Sequence, residues 1–320
     1  MTVYVSLPLT GPHARDGRDA ADGARLALER ADGRAGDLEV HAFYLDDAAG
    51  SAWDPAAVGR NARTAAEDSS TAAYIGELDS QPTRASVPVT NEAGIAQISP
   101  GAGAVDLTRP AEGYPDSPDQ YRPSGEPTFA RVVPAEDVVL RAAAERAQRA
   151  EAERVAAELP PTAFGRFAGE RFEAAAAEVG VSAVADPDRA DLVLEPGPTE
   201  GFRLRDGSEW QVSAALAPGE LPDRGFAAAF DAEFDRPPGP YAAYGYEAMD
   251  LALAAIESAS GEEEDFRGAV VDAVLESERP ESVLGRYSIT AEGDSTLCAV
   301  QSYRLSVELT LPERPLCPDS

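Results

Sequence analysis

Lysine is absent from this chain: all 27 basic residues are arginine, and 57 acidic residues leave a formal net charge of −30 and a pI near 4.3. So acidic a surface repels nucleic acid and anionic membranes at long range, which argues against both as partners. Histidine is scarce as well. His13 and His41 stand alone, neither with cysteine or histidine at ligand spacing, so nothing marks a metal centre. Neither has a serine and an acid arranged about it, and no GxSxG elbow occurs, which removes the usual signs of a hydrolase. No window approaches the ~20 consecutive apolar residues of a membrane span, and residues 1–30 lack a basic start followed by an apolar run. Because residues 3–7 already read as a buried strand, any export signal or lipid anchor is expected upstream of this sequence. Cysteine is limited to Cys298 and Cys317, spaced for closing one local loop. Either they form a disulfide, contributing about 3 kcal/mol by restricting the unfolded chain, or they remain two thiols.

What is present supports substantial cores. With 320 residues, 43% of them hydrophobic, the chain is long enough for two domains of roughly 150 residues each. The first third alternates strand and helix. Residues 3–7 form a short apolar run, residues 9–12 a loop, and Ala21, Ala24 and Leu28 recur at helical spacing. Residues 38–45 read as a second strand ending in Asp46 and Asp47. A helix follows, with Asp54 as N-cap, Pro55 behind it and an apolar stripe of Val58, Ala62 and Ala65. Strands at 72–75 and 95–98 complete a βαβαβαβ series, which predicts a mostly parallel sheet with helices on both faces.

Residues 108–126 are rich in proline, glycine and acid and read as a linker or crossover. A short strand at 129–134 precedes a stretch from Asp137 in which alanine, arginine and glutamate favour helix as far as Leu159. Propensity alone draws one long helix there. A strand at 155–159, a turn at 160–162 and a stripe of Phe172, Ala175, Ala176 and Val179 instead make a second βα unit, and the residues leave both readings open. Short strands at 181–185, 192–194 and 210–216 have little helix between them. Helical periodicity returns at 226–234, 241–258 and 266–277, and residues 286–311 finish in strands turning at Gly293 and Asp294.

The densest functional signal lies in residues 74–103, YIGELDSQPTRASVPVTNEAGIAQISPGAG. Strand, hydroxyl-bearing loop, short helix, strand and small-residue loop follow one another, which sets two polar loops side by side at the ends of parallel strands. Ligands bind at such rims in open α/β sheets.

Six pieces taken in order, SLPLTGP with Gly17 and GARLAL after it, YLDD, the 74–103 stretch, FARVVPAED, AFGRFAGERF and PYAAYGYEAMDLALAAI, resemble the type I periplasmic binding-protein family. The resemblance is to its branched-chain amino-acid substrate-binding components of ABC transporters and spans most of the chain. It implies an α/β fold of two Rossmann-like lobes with parallel sheets, joined by a three-stranded hinge, the second lobe abbreviated. It favours the strand at 155–159. Residues 1–126 plus 217–283 are then the first lobe and residues 127–216 plus 284–320 the second. It further implies a monomeric, cofactor-free and non-enzymatic extracytoplasmic protein that closes around a small polar ligand, an amino acid or a related compound, and delivers it to an ABC permease complex.

For the site, the resemblance implies Thr10 and Asp16 near the ligand, and Asp79, Ser80 and Gln81 in a loop that binds an amino-acid carboxylate. Ser80 is expected to cap the following helix, its hydroxyl and the free N–H groups of the helix start facing an anion. A plain N-cap without ligand is the alternative. Asp79 beside that anion is unfavourable unless it meets a cation, such as an ammonium group. Gly101, Ala102 and Gly103 match a loop whose backbone touches the ligand, although amino-acid binders often carry threonine where Gly103 stands. Phe164 matches an aromatic lid or is core, and Pro198, Thr199 and Glu200 line the opposite wall. The family's usual further βα unit, with the acid that receives an α-ammonium, is missing.

Three other readings compete. The same fold serves as a sensory or regulatory ligand-binding domain, and a shortened second lobe would also fit a degenerate scaffold. A nucleotide-dependent enzyme ranks below them. Gly101-Ala102-Gly103 begins like GxGxxG, but Asp106 holds the third glycine position, where it would crowd helix packing and repel pyrophosphate.

Overall fold

The alternation of the first third builds a parallel sheet in the computed structural model, which describes residues 1–197, 201–205, 209–262, 264–305 and 310–317. β1 (Thr2–Leu7) leads into α1 (Ala14–Arg30), and a small hairpin of β2 (Arg34–Ala35) and β3 (Leu38–Glu39) precedes β4 (His41–Asp46). Then come α2 (Pro55–Glu67), β5 (Thr71–Ile75), α3 (Ser80–Glu92), β6 (Ala96–Ser99) and β7 (Phe129–Arg131). The strand order is β4-β1-β5-β6-β7, every pair parallel. β1, β5 and β6 are buried along their whole length, as strands covered on both faces must be. Asp54 caps α2 through Ala56 N at 2.7 Å, with Pro55 in the first turn, as its sequence predicts.

β7 lies in this first sheet although the division expected at residue 126 would put it in the second lobe; its partner is β6. Downstream, α4 (Glu136–Arg149) stops and β8 (Arg154–Ala157) follows, so helix propensity yields to strand pairing. α5 (Ala163–Glu178), β9 (Ser182–Ala183), β10 (Leu192–Pro196), β11 (Phe202–Arg205) and β12 (Glu209–Ser213) complete this region.

The chain then returns to the first sheet. α6 (Phe226–Phe234) packs on α1, while α7 (Ala242–Ser258) and α8 (Phe266–Leu275) cover β5 and β6. α1 and α7 approach backbone to backbone. A Cβ on Gly23 would fall 1.9 Å from the Ala242 carbonyl oxygen, and one on Gly245 as near to that of Ala20. Only glycine permits that crossing.

A short pair, β13 (Glu278–Arg279) and β14 (Tyr287–Ser288), precedes β15 (Gln301–Leu305) and β16 (Thr310–Pro312). The second sheet runs β16-β15-β12-β11-β10-β8-β9 among the described residues. β8 is parallel to β9 and β10, whereas every pair from β10 to β16 is antiparallel. The parallel arrangement expected of both sheets therefore covers only part of this one. α4 and α5 pack on it. Cys298 and Cys317 are disulfide-bonded, their Cα atoms 4.9 Å apart, next to the bridge between Val300 and Leu316.

Candidate functional site

The carboxyl ends of β5, β6 and β7 carry the first-sheet loops from which the site is built. Asp79 precedes α3 and Ser80 is its first residue. The cap position is therefore Asp79, not Ser80, and the Asp79 side chain makes no capping bond. Ser80 is buried, and its Oγ accepts a hydrogen bond from Ala104 N at 3.0 Å. That bond ties the β5–α3 loop to the loop after β6.

Ser99, the last residue of β6, makes a second tie. Its hydroxyl donates to the Glu77 carbonyl at 2.6 Å and accepts from Gly101 N and Ala102 N at 3.2 and 2.8 Å. A Cβ on Gly101 would sit 2.3 Å from the Leu78 carbonyl oxygen, so this approach requires glycine. Gly103 accepts from Glu136 N at 2.8 Å and fixes the start of α4.

Arg131 supports the same loop from below. It is fully buried and donates to the carbonyls of Ala102 and Ala104 at 3.0 and 2.8 Å and to Thr108 Oγ1 at 2.8 Å. Its Nε pairs with Asp294 at 3.0 Å, and Asp294 also holds Arg109 at 2.6 Å. Burial alone would raise the Asp294 carboxyl, but the two guanidiniums hold it below its ordinary value.

Above these loops lies a cavity of about 240 Å³. One wall is Ser80, Gln81 and Arg84 at the start of α3, with Ala104 and Glu136 beside it. The other comes from the second sheet region, where Phe164 at the start of α5 stacks on Phe202 of β11, ring centroids 6.2 Å apart and planes 10° from parallel. Arg84 holds Asp106 in a two-pronged pair at 2.8 and 2.6 Å, so its charge is matched within the protein. Tyr121 donates to the same carboxylate at 2.7 Å. The cavity thus offers a flat apolar face opposite a polar helix start.

Of the residues expected at the site, Ser80, Gln81 and Phe164 line this cavity together, and Gly101, Ala102 and Gly103 form the buried loop behind it. Thr10 is engaged elsewhere. Its hydroxyl donates to Asp46 Oδ2 at 2.6 Å and accepts from Gly50 N at 2.7 Å, beside a separate open groove with Arg18 and Arg236. Asp16, in the first turn of α1, does not line this cavity; with burial, its charge pushes up the phenol of Tyr303 on β15. Pro198, Thr199 and Glu200 fall outside the described residues. Sequence reasoning did not single out Arg84, Arg131, Glu136 or Phe202. For Phe202 a signal existed: Phe202 and Leu204 are buried and Arg203 and Arg205 exposed, the two-residue period of a half-buried strand.

Two sheets with helices packed about each, meeting at a cavity at the strand ends, are the fold of the type I periplasmic binding proteins. Among solved structures, a leucine-binding protein of Thermotoga maritima is similar over 100% of this chain and 99% of its own, with a TM-score of 0.78 at 17% identity. A solute-binding protein of an ABC transporter from R. palustris, in complex with benzoate, matches with a TM-score of 0.75 at 17% identity over 99% of this chain and 96% of its own. An ABC transporter substrate-binding protein of Desulfitobacterium hafniense, in complex with Leu, gives 0.74 at 17% identity over 98% and 99%. No protein-family model matches the sequence, and no curated protein matches it.

Proposed function

We propose that the chain is the solute-binding component of an ABC importer, a non-enzymatic receptor that holds a small polar ligand between two lobes and presents it to a permease complex. The observation that carries this reading is the cavity between the start of α3 and the Phe164–Phe202 wall, at the carboxyl ends of parallel strands. The chain passes between the two sheets within residues 132–135, 214–225 and 289–300, three connecting segments that serve as the hinge about which the lobes close. We place the ligand's polar end at Ser80 and Gln81 and its flat or apolar part against Phe164. An amino acid or a small aromatic acid fits that division, in line with the leucine and benzoate named for the similar structures. Work outside the cytoplasm agrees with the Cys298–Cys317 bond, which an oxidising compartment preserves.

Refolded, ligand-free protein screened by thermal shift and calorimetry against amino acids, small amides, and aliphatic and aromatic acids is expected to yield a binder. A screen in which none of these raises the melting temperature or releases heat would defeat the proposal.

A further inference from the structure

Beneath the loop that carries Asp79, Ser80 and Gln81, two carboxyl groups are buried against each other. Asp47 follows the last residue of β4 and is 1% exposed; Glu77, two residues past β5, is 0% exposed. Tyr74 donates to Glu77 Oε1 at 2.7 Å, and the hydroxyls of Ser6 and Ser86 stand around the same carboxyl. Asn61 Nδ2 donates to Ser6 Oγ at 3.0 Å, which leaves the Ser6 proton to turn toward Glu77, while Ser86 Oγ accepts from Gln97 Nε2 at 2.8 Å and donates to the Thr83 carbonyl at 3.3 Å. Asp47 closes the remaining side.

Among the described residues, no arginine or histidine forms an ion pair with either carboxyl. The largest charges that bear on Asp47 are those of Glu77, Asp79 and Asp46, all acidic. Among the described residues, neither oxygen of Asp47, nor Glu77 Oε2, accepts a hydrogen bond from any N–H or hydroxyl. Two ionised carboxylates in contact away from water are costly, and a proton between them removes one charge and supplies the missing donor.

We propose that Asp47 and Glu77 share one proton as a carboxylic acid and carboxylate pair, and that this pair is a pH-sensitive latch on the ligand-facing loop of the first lobe. The linkage runs through short bonds. The Glu77 carbonyl accepts from Ser99 Oγ, which in turn holds Gly101 N and Ala102 N, and Gln97 Nε2 holds the Gly76 carbonyl at 2.9 Å. Loss of the shared proton changes the pair from one negative charge to two. The repulsion displaces Glu77 and, with it, the backbone on which Ser80 and the 101–104 loop depend. Burial pushes both carboxyls up, Asp47 with the added push of the Glu77 charge. Both folded values stand above the unfolded ones. The pair's contribution is therefore complete below the ordinary carboxylate range and is lost as pH rises through the folded values.

The latch concerns the site of the proposed receptor, but its test uses ligand-free protein, so absence of a binder leaves it intact. Melting temperatures of the wild type and Asp47→Asn are measured from about pH 5 to about pH 11, a span that runs past the raised values of both carboxyls. An asparagine amide donates where the acid did and has no proton to lose. The expected result is a wild-type melting temperature that falls toward alkaline pH more steeply than the variant's. Infrared difference spectra should show a protonated carboxyl band at neutral pH in the wild type that is absent from Asp47→Asn. Hydrogen exchange at alkaline pH should be faster at Gly101 and Ala102 in the wild type than in the variant. Parallel melting profiles, equal exchange, or no protonated carboxyl band would overturn the proposal. So would a calcium-dependent rise in melting temperature without that band, which would put a cation in the proton's place. If Asp47→Asn does not fold, Glu77→Gln carries the same comparison, and the wild-type infrared spectrum decides the proton independently.

Discussion

Two buried ionic clusters stand at the rim of the first sheet, and they meet the cost of burial in opposite ways. At the end of β7, Arg131 is matched by Asp294, which reaches it from the far end of the sequence and also holds Arg109. At the ends of β4 and β5, Asp47 and Glu77 are buried together, and among the described residues no cation pairs with them. The first cluster is held by opposite charges, the second by uptake of a proton. Fixed charge makes a support that is constant across the neutral range, while a shared proton makes one that pH can release. Each sits under one of the two loops that Ser80 and Ala104 join.

The largest effect should come from unbalancing the first cluster. Arg131→Met leaves Asp294 buried with one partner fewer and takes the guanidinium from the Ala102 and Ala104 carbonyls, at a cost of about 3–5 kcal/mol in denaturant unfolding. Adding Asp294→Leu should recover part of that loss, and a single variant as stable as wild type would erase the distinction between the clusters. Reducing the Cys298–Cys317 bond, which frees the segment just past Asp294, is expected to cost about 3 kcal/mol, read by melts with and without reductant. Ser80→Ala should weaken a binder found in the screen by about 1–3 kcal/mol by calorimetry, through the lost hydrogen bond where the two loops meet. Away from both clusters, Asp54→Ala should cost only about 1 kcal/mol, the worth of one helix cap, and serves as the reference for an unbalanced cluster.

The finest test is the sign of the pH dependence. Asp294 is held low, so its contribution is present above the ordinary carboxylate range and is lost as pH falls through its folded value. The Asp47–Glu77 pair is held high and loses its contribution on the alkaline side. Arg109→Gln should therefore move the acid limb of a melting profile toward neutral pH and leave the alkaline limb alone, and Asp47→Asn should do the reverse. One variant shifting both limbs would mean that the clusters act as a single network.

Much of this was legible locally. Asp54 with Pro55 marked the start of α2, helical spacing located α6 and α7, and the run of buried strands gave the first sheet and its loop rim. The residues alone left α4 and β8 unresolved, since alanine, arginine and glutamate favour helix on both sides of the break. What separates them is the pairing of β8 with β10, a contact that propensity does not contain. The site followed the same rule. Ser80 was visible as loop chemistry at a helix start, Gln81 and Phe164 came from the family resemblance, and Arg131 read only as part of a short strand.

The sequence by itself determined the alternation of strand and helix, the acidic and lysine-free surface, and the position of the 74–103 rim. Each depends on composition or on periods of two and 3.6 residues, which neighbours along the chain suffice to set. Only the tertiary structure decided which charges are matched and which are not. Asp294 becomes the counter-ion of Arg131, and Asp47 meets Glu77, because separate strands bring them together. A carboxylate's cost depends on what surrounds it after folding, and no local pattern records that.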